Sequence, residues 1–408
     1  MRALLTIRNF PSLLSSLFIS KLGDYSYEVV FVFIVLEITG SNYILTGVVY
    51  FFRFIPFLFF GPIGGWLADN KDIKNTLLFS ELIRLIVTFL LFISYFYENI
   101  NIYILILSSV LTTIGRSVFQ PSFRTAIPKI VSNTNLGYAN SISQIAEEMA
   151  MVLGPLICSF ILSITVNKSW VLMFNAITYF LSILIIFNLS KLDARKKEVF
   201  NVSRIYKETC LSLDYLYRVN NKLFIVIIGS GICILFTGSV LRFIIPAVTV
   251  FLGKGEIFTS YIFSLMAFGT IIGGLIYNKC VNIVTPNKLM FFWVIYGVIL
   301  FCLAVFSFFS FDIFLPFSFI LGVCGAFVDI TLVTVIQTYS KKNNIGKNFG
   351  IFSTLANTSE ALSSLLSGVI AIFSIVFSFV TLTFLIVLTG STCLALLAKE
   401  KSVDETTL

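Results

Sequence analysis

Twelve ionisable side chains lie inside long apolar stretches of this sequence, and their types and positions are its most informative chemistry. Seven are acids, at Asp24, Glu28, Glu81, Glu147, Glu148, Asp329 and Glu360. Five are bases, at Lys21, Arg53, Arg84, Arg116 and Arg242. Charges in apolar surroundings are costly, so they pair with one another or face a water-filled cavity. If every base pairs with one acid, two acids are left over, and such a carboxylate can exchange protons with water.

Reversible protonation in this chain must use carboxylates, because the sequence contains no His, the side chain that most often titrates near neutral pH. Asp24 lies near the middle of its apolar stretch, and Glu28 lies one helical turn further along. We predict that Asp24 contacts a substrate or carries a proton, with Glu28 as a second candidate. The alternative is a buried ion pair between Asp24 and Lys21 that only holds the fold together.

The adjacent acids Glu147 and Glu148 are further candidates for proton carriage. Neighbours on a helix point about 100° apart, so at most one of the two faces a cavity directly. Two nearby carboxylates disfavour each other's charged form, and burial adds to that effect. This pair is therefore expected to include one acid that takes up a proton.

The remaining charges divide between structure and cavity. Glu81 and Arg84 are three residues apart and share a helix face, which predicts a structural ion pair. Arg242 and Asp329 lie in separate apolar stretches of the second half of the chain. Each of these two residues is expected to line a central cavity.

The elements that position these residues follow from composition. The chain has 408 residues, of which 58% are hydrophobic and 12% charged, and its mean hydropathy is +0.98. Apolar runs of about 20 residues match the length of a helix that crosses a bilayer. We predict an all-α membrane protein with twelve spans: 13–36, 44–67, 76–97, 102–119, 136–164, 170–189, 223–250, 257–277, 289–309, 313–336, 349–372 and 377–397. The turn between the last two is expected near Ser374.

Topology follows from the basic residues, since Lys and Arg in short loops stay on the cytoplasmic side. If both termini are cytoplasmic, 21 of the 28 bases face the cytoplasm and only Lys168 and Lys254 face outward. The net charge of +8 therefore reflects topology, and no nucleic-acid partner is expected. The N-terminus shows no small-residue cleavage site, which predicts a first helix that stays in place as a signal anchor. The seven cysteines show no metal-ligand or redox spacing, so no metal or other cofactor is expected.

A polar segment divides the chain into two halves. The predicted domains are an N-terminal six-helix bundle at 1–189, a cytoplasmic linker at 190–222, a C-terminal six-helix bundle at 223–397 and a cytoplasmic tail at 398–408. Sliding the chain by 208 residues places one helix end over another, with Gly61, Gly65, Leu67, Asn70 and Lys71 over Gly269, Gly273, Leu275, Asn278 and Lys279. Repeats of this kind build many secondary transporters.

Several motifs resemble those of one family over nearly the whole chain. They are Gly23-Asp24, Gly65-Trp-Leu-Ala-Asp69, Pro121-Ser-Phe-Arg-Thr-Ala-Ile-Pro128, Tyr138-Ala-Asn-Ser141, Gly154-Pro155, Asn175-Ala176 and Tyr215-Leu-Tyr-Arg218. On these residues the chain resembles the major facilitator superfamily, in the branch of secretion effectors that includes macrolide-efflux proteins and the enterobactin exporter. The resemblance implies two pseudo-repeated six-helix halves that alternate access to a central site.

The loop after the second predicted span resembles the family's cytoplasmic gating motif. Gly61, Gly65, Asp69 and Lys74 carry over, whereas Asn70, Asp72 and Ile73 depart from the usual pattern. The resemblance implies that Asp69 contacts the start of the eleventh span, where a carboxylate at a helix N-terminus is favourable. Arg116, near the inner end of the fourth span, is expected to pair with Asp69 or Glu81 and to belong to the same gate. The alternative is a turn with a solvated acid.

Gly154-Pro155 in the fifth predicted span resembles the core of a motif associated with antiporters. Small residues around it allow close helix approach. The alternative is a proline kink without a role in transport. Because the motif is associated with antiporters, the resemblance favours export over import.

The sequence predicts a secondary active exporter of an amphipathic small molecule, either a drug of the macrolide type or a siderophore-like metabolite, exchanged for protons. No phosphate-binding loop for ATP is present, so the energy must come from a gradient. An acidic substrate would favour contacts with Arg53 and Arg242, and a cationic one with Asp24 and Glu147. The alternatives are an importer of a nutrient or organic anion, and a membrane receptor or assembly partner.

The expected setting is the cytoplasmic membrane of a bacterium. The partners expected there are the substrate, protons and the lipid bilayer, and the chain is expected to be a monomer without enzymatic activity.

Overall fold

The computed structural model describes residues 7, 9–39, 43–165, 167–190, 200–251, 253, 255–306, 313–371 and 374–406. These residues form helices joined by short turns, with no β-strand among them. Helices are expected here because a backbone inside hydrocarbon must satisfy its hydrogen bonds within its own segment. Lys254, which was predicted to face outward, and residues 191–199 of the linker lie outside the described residues.

Among its described residues, the first half of the chain forms six long helices and the linker a seventh. Their bounds are α1 Phe10–Ile38, α2 Tyr43–Asn70, α3 Ile73–Phe96, α4 Ile102–Ile130, α5 Leu136–Thr165, α6 Ser169–Phe187 and α7 Val202–Arg218. Helix α3 begins where the side chain of Asp72 accepts a hydrogen bond from the backbone N–H of Lys74. Helix α4 begins in the same way at Asn101.

Where the structure describes the second half, the chain forms seven α-helices and one short π-helix. Their bounds are α8 Asn221–Ser239, the π-helix Val240–Ile244, α9 Ile245–Phe251, α10 Gly255–Cys280, α11 Pro286–Phe306, α12 Phe314–Tyr339, α13 Ile345–Ala371 and α14 Ile375–Thr406. The seventh predicted span is thus interrupted after Ser239. A π-helix inserts an extra residue into the turn and re-aims the side chains around it, and such segments occur frequently at functional sites.

Ten helical segments among the described residues are long and apolar enough to cross a membrane. They correspond to the predicted spans except the first and the eleventh. Those two are helices, α1 and α13, but α1 carries Lys21, Asp24 and Glu28, and α13 carries Glu360. Charged and polar side chains lower the hydropathy of these two helices, so their assignment as membrane spans stays a prediction.

The chain divides into two compact units. The first comprises Met1–Ala139, Ala146–Thr209 and Lys341–Thr354, and the second comprises Asn140–Ile145, Cys210–Ser340 and Leu355–Leu408. Within the first unit, a buried apolar cluster brings together α1 to α6, with Phe31, Leu91 and Leu172 among its members. Within the second unit, a smaller cluster forms around Tyr277 and Ile330.

Large apolar side chains cover much of the outer surface. Phe33 is 53% exposed, Phe160 66% and Leu156 61%. A soluble protein rarely exposes apolar patches of such extent. Lipid accounts for them, since the helices that carry these side chains have the length and composition of membrane spans.

The internal repeat is present in the structure, but its register differs by one residue from the alignment of the sequence. A Cβ added to Gly64 would meet α4 and one added to Gly65 would meet α13. The matching contacts in the second half belong to Gly273, which meets α12, and Gly274, which meets α5. The offset is therefore 209. One residue on a helix is a rotation of about 100°, so only this offset places equivalent faces together.

Candidate functional site

Six of the charges inside the first unit form one continuous row in which acids and bases alternate. We call it the charge row, and in order it consists of Glu81, Arg84, Asp24, Arg116, Glu28 and Arg53. Nitrogen–oxygen distances along it are 2.9 Å from Arg84 to Glu81, 3.6 Å from Arg84 to Asp24, 3.8 Å from Arg116 to Asp24 and 3.2 Å from Arg116 to Glu28. Arg53 binds Glu28 at its far end. Three acids and three bases cancel, which is the condition for keeping charges in a bilayer.

Neutral side chains complete the hydrogen bonding of the charge row. The hydroxyl of Tyr179 donates to Asp24 Oδ1 at 2.5 Å, and the hydroxyl of Ser182 donates to Glu81 Oε1 at 2.9 Å. The guanidinium of Arg53 lies 4.3 Å from the centre of the Phe31 ring. Such partners offset the cost of removing charges from water. The inner part of the row therefore has both charged and neutral hydrogen-bond partners.

The partners of Arg116 and Lys21 differ from those expected. Arg116 was expected to bind Asp69 or Glu81, and that is wrong, because it binds Asp24 and Glu28. Lys21, considered as a partner of Asp24, instead lies 3.0 Å from Glu147. Spacing along one helix tells which residues share a face, but the neighbouring helices decide which opposite charge reaches them.

A second cluster in the first unit consists of Lys21, Glu147 and Arg124. Arg124 Nη2 lies 2.9 Å from Glu147 Oε2, so the carboxylate is held by a base on either side. These side chains are 13%, 16% and 18% exposed. Arg124 lies beyond its predicted span and so was expected among the cytoplasmic bases, without this contact. Glu148, the next residue on α5, is partly buried.

The gating motif makes a close helix crossing. Asp69 Oδ1 accepts a hydrogen bond from the backbone N–H of Gly346 at 2.7 Å, and Oδ2 accepts one from that of Lys347 at 2.8 Å. This is the contact with the eleventh span that the family resemblance implies. The first N–H groups of a helix have no partner within it. Asp69 therefore caps α13, whose first turns belong to the first unit.

Glycines allow this crossing to be close. A Cβ added to Gly65 would lie 2.5 Å from the carbonyl oxygen of Gly346, and one added to Gly61 would lie 2.0 Å from the Thr354 hydroxyl. A Cβ added to Gly350 would lie 2.7 Å from the carbonyl oxygen of Gly61. A larger residue at Gly65 or Gly350 would meet backbone atoms and force α2 and α13 apart.

The other motif residues also make specific contacts. Lys74 Nζ donates to the carbonyls of Phe187 at 2.7 Å and Leu189 at 2.9 Å, so it caps the C-terminal end of α6. Gly154 lets α5 approach α1, since a Cβ there would lie 2.7 Å from Cβ of Tyr25. The Gly154 carbonyl accepts a hydrogen bond from the Ser26 hydroxyl at 2.8 Å. Pro155 follows inside the same helix.

The linker helix α7 adds contacts that the sequence did not reveal. Glu208 binds Lys347 Nζ at 2.6 Å and Arg204 at 2.7 Å, and the Tyr206 hydroxyl donates to the carbonyl of Phe59 in α2. Burial raises the pKa of Glu208, but the hydrogen bonds from Lys347 and Arg204 outweigh it and hold this pKa below its usual value. The linker helix therefore binds the side chain of Lys347, and Asp69 binds the backbone N–H of the same residue.

Replacing Glu208 by Gln is expected to lower stability at neutral pH but not in acid. Since the pKa of Glu208 is lowered in the folded state, its contribution is present above the unfolded value of about 4.3 and is lost as pH falls through the folded pKa. The difference in melting temperature between wild type and Glu208→Gln should thus shrink as pH falls below about 4. Asp214→Asn is the control, because its pair with Arg218 on the same helix is mostly exposed. A difference that is constant with pH would contradict the prediction.

The second unit contains a cavity of about 260 Å³. The two residues expected to line a cavity, Arg242 and Asp329, both line this one, together with Glu360, Trp293 and Tyr296. Arg242 lies on the π-helix, and its Nη2 is 3.0 Å from Glu360 Oε2. The sequence had marked Glu360 as a charge inside a span, without a role. The structure thus brings the in-span charges of α12, α13 and the π-helix to one place.

Comparison with known proteins gives the family. The sequence pattern of the transmembrane secretion effectors matches residues 3–406 of this chain. The chain belongs to this family. It is therefore a multi-pass membrane transporter of the major facilitator superfamily, as the motifs implied, and its relatives and structural neighbours are transporters rather than enzymes.

Two relatives of this secretion effector are similar over much of its length. It is 27% identical to the staphyloferrin A transporter of Staphylococcus aureus over 270 residues, which are 65% of this chain and 66%, just under two thirds, of that protein. It is 21% identical to macrolide efflux protein A of Streptococcus pyogenes over 363 residues, 86% of this chain and 87% of that protein.

Solved structures agree in fold. The human organic anion transporter TETRAN superimposes with a TM-score of 0.78 at 13% identity, over 95% of this chain and 99% of that one. A bacterial homologue of the iron transporter ferroportin gives 0.77 at 13% identity, over 97% of this chain and 100% of that one. At these identities the likeness shows the major facilitator fold of this secretion effector.

Proposed function

We propose that this transporter is a proton-driven exporter of an amphipathic small molecule. The observation that carries the proposal is the similarity to macrolide efflux protein A over 86% of the chain, within a family of secretion effectors. The similarity to the staphyloferrin A transporter extends the candidate substrates to siderophore-like metabolites. Alternating access between two six-helix bundles, at 1–189 and 223–397, moves the substrate.

The setting we propose is the bacterial cytoplasmic membrane, with twelve spans, both termini in the cytoplasm and a monomeric chain. The concentration of bases in the predicted cytoplasmic loops supports this orientation. The protein takes its substrate from the cytoplasm or the inner leaflet and its driving force from inward proton flow.

We assign proton coupling to acids of the first unit whose side chains are partly exposed. Glu28 and Glu147 have side chains 37% and 16% exposed, whereas Asp24 and Glu81 are 5% and 0% exposed. A proton must arrive through water, so the role first given to Asp24 moves to Glu28 and Glu147. Both are held by bases in this structure. Protonation would weaken those pairs, which links proton uptake to movement of the helices that carry them.

Efflux is tested in cells that lack their own pumps. Wild type and the variants Glu28→Gln and Glu147→Gln are compared for retention of a panel of macrolides and iron chelators, with and without a protonophore. We expect wild type to lower retention of one class at least tenfold, and expect the protonophore and one of the two substitutions to abolish that effect. Glu98→Gln is the matched control, since Glu98 is an exposed acid outside the spans.

The outcomes separate the rival functions. Raised retention that depends on the gradient would identify an importer on the same fold. Retention that no variant changes, in cells where each protein reaches the membrane in equal amount, would contradict proton-driven export of these compounds.

A further inference from the structure

The cavity of the second unit is large enough for one part of a drug-sized ligand. Binding pockets for drug-sized ligands measure about 300–1,000 Å³, and this cavity measures about 260 Å³. It accommodates one ring with a short substituent. Its lining includes Gly325, where an added Cβ would find only the Tyr296 ring, at 3.6 Å, so this wall has room.

The charges that line the cavity are two carboxylates and one guanidinium. Arg242 and Glu360 bind each other at 3.0 Å, and Asp329 adds a second carboxylate. A charged ligand group binds best where it brings the total charge of its surroundings towards zero. The lining therefore favours a ligand group with one positive charge over a carboxylate.

Aromatic rings form the other part of the lining. Trp293 and Tyr296 pack edge to face with their centres 5.9 Å apart. The Trp293 indole N–H donates to the Ser230 hydroxyl at 3.1 Å, which fixes the ring in place. Fixed indole and phenol faces attract organic cations. They also provide apolar area for a ring attached to the charged group.

One polar atom of the lining points to a ligand independently of the charges. The hydroxyl oxygen of Thr237 is buried and has no hydrogen-bond partner among the described residues, and Thr237 lines the cavity. A buried hydroxyl without a partner is costly. An ammonium N–H that enters the cavity would supply the missing donor.

The π-helix places Arg242 on this wall. It is anchored at its start, where the Ser239 hydroxyl donates to the carbonyl of Ser363 in α13 at 2.7 Å. Glu360, the partner of Arg242, lies one turn earlier on the same helix. The anchored π-helix and α13 thus hold the Arg242–Glu360 pair in the lining of the cavity.

We propose that this cavity binds the protonated amine end of the transported molecule, between the carboxylates of Asp329 and Glu360 and the rings of Trp293 and Tyr296. The proposal rests on the proposed transport function and narrows its substrate class. An amphipathic amine is preferred over a carboxylate-bearing compound of the same size. Arg242 keeps Glu360 in place and is a positioning residue.

Binding to the purified full-length protein in detergent tests the proposal without a gradient. The probes are labelled N,N-dimethylphenethylamine, which carries one positive charge and one ring, and labelled 3-phenylpropionate, its anionic counterpart, in equilibrium dialysis at pH 7. We expect saturable binding of the amine and at least tenfold weaker binding of the anion. Asp329→Asn should weaken amine binding at least tenfold, and Glu98→Gln should leave it unchanged.

A second variant tests the cavity by reducing its volume without changing a charge. Gly325→Val places methyl groups in the open part of the cavity and should also weaken amine binding, with the melting temperature close to that of wild type. Stronger binding of 3-phenylpropionate, or amine binding that neither variant weakens, would overturn the proposal. Amine binding without efflux in cells would support the cavity assignment and contradict export. Efflux without amine binding would support export and contradict the cavity assignment.

Discussion

Replacing Arg84 by methionine is expected to remove about 3–5 kcal/mol from the stability of the protein, because breaking a buried ion pair leaves an uncompensated charge. Arg84 is 1% exposed and binds both Glu81 and Asp24. Asp24 keeps Arg116 and Tyr179 as partners after the substitution. Glu81 keeps no base in the charge row, so most of the loss should come from Glu81.

Thermal unfolding of the detergent-solubilised protein measures the effect. Arg84→Met should lower the melting temperature by several degrees, whereas Arg218→Gln, which breaks a pair that is 72% and 52% exposed, should change it little. Adding Glu81→Gln to Arg84→Met should recover part of the loss, because the orphaned charge is then removed as well. Equal melting temperatures of wild type and Arg84→Met would show that the charge row does not stabilise the fold.

The sequence was sufficient for the fold class, because hydrophobic length and the placement of bases follow directly from the requirements of a bilayer. Contacts within one helix also follow from spacing, as for Glu81 and Arg84, which bind at 2.9 Å. The contact of Asp69 with the start of α13 came from the family motif and has the geometry of a helix cap.

Contacts between helices could not be predicted in the same way. Glu28 binds Arg53, 25 residues away, and Arg116, 88 residues away, and the sequence gives no reason to choose these over other bases. Arg124 lies beyond the apolar run of its span, yet its long side chain reaches Glu147. Such pairs depend on the rotation and approach of whole helices, which the glycines at the crossings set.

The π-helix was missed for a related reason. Val240–Ile244 is as apolar as the segments on either side, apart from Arg242, so periodicity does not distinguish it from an α-helical turn. Its consequence is large, since it determines where Arg242 points. The predicted offset of the internal repeat was wrong by one residue for a similar reason. Gly64 and Gly65 are adjacent residues of the same type, and only the helix that each one contacts distinguishes them.

Replacing Asp69 by asparagine is expected to free the start of α13 and to stop transport. The carboxylate accepts hydrogen bonds from two backbone N–H groups, one at each oxygen. An asparagine has one oxygen and no charge, so the contact should lose about 1.5–3 kcal/mol. We propose that the contact forms in only one of the alternating conformations. A loss of that size would then change the ratio of the conformations roughly 10- to 150-fold.

Hydrogen exchange of the peptide that spans 341–354 measures the contact without any substrate. The amides of Gly346 and Lys347 lie in the first turn of α13, where no carbonyl within the helix can protect them. They should exchange at least tenfold faster in Asp69→Asn than in wild type. Asp72→Asn is the matched control, because it makes the same chemical change three residues away and asparagine also caps helices well.

The structure around this crossing explains why a single oxygen should matter for transport. The glycines at 61, 65, 346 and 350 bring the backbones of α2 and α13 into contact, so a small shift of α13 changes the whole crossing. Asp69 attaches to the backbone at the start of α13, and Glu208 attaches to the side chain of Lys347 in the same turn. Loss of Asp69 should therefore abolish efflux in the retention assay, while Asp72→Asn retains it. Unchanged exchange and unchanged efflux in Asp69→Asn would mean that the glycine crossing alone holds α13 and that the carboxylate has no part in the transport cycle.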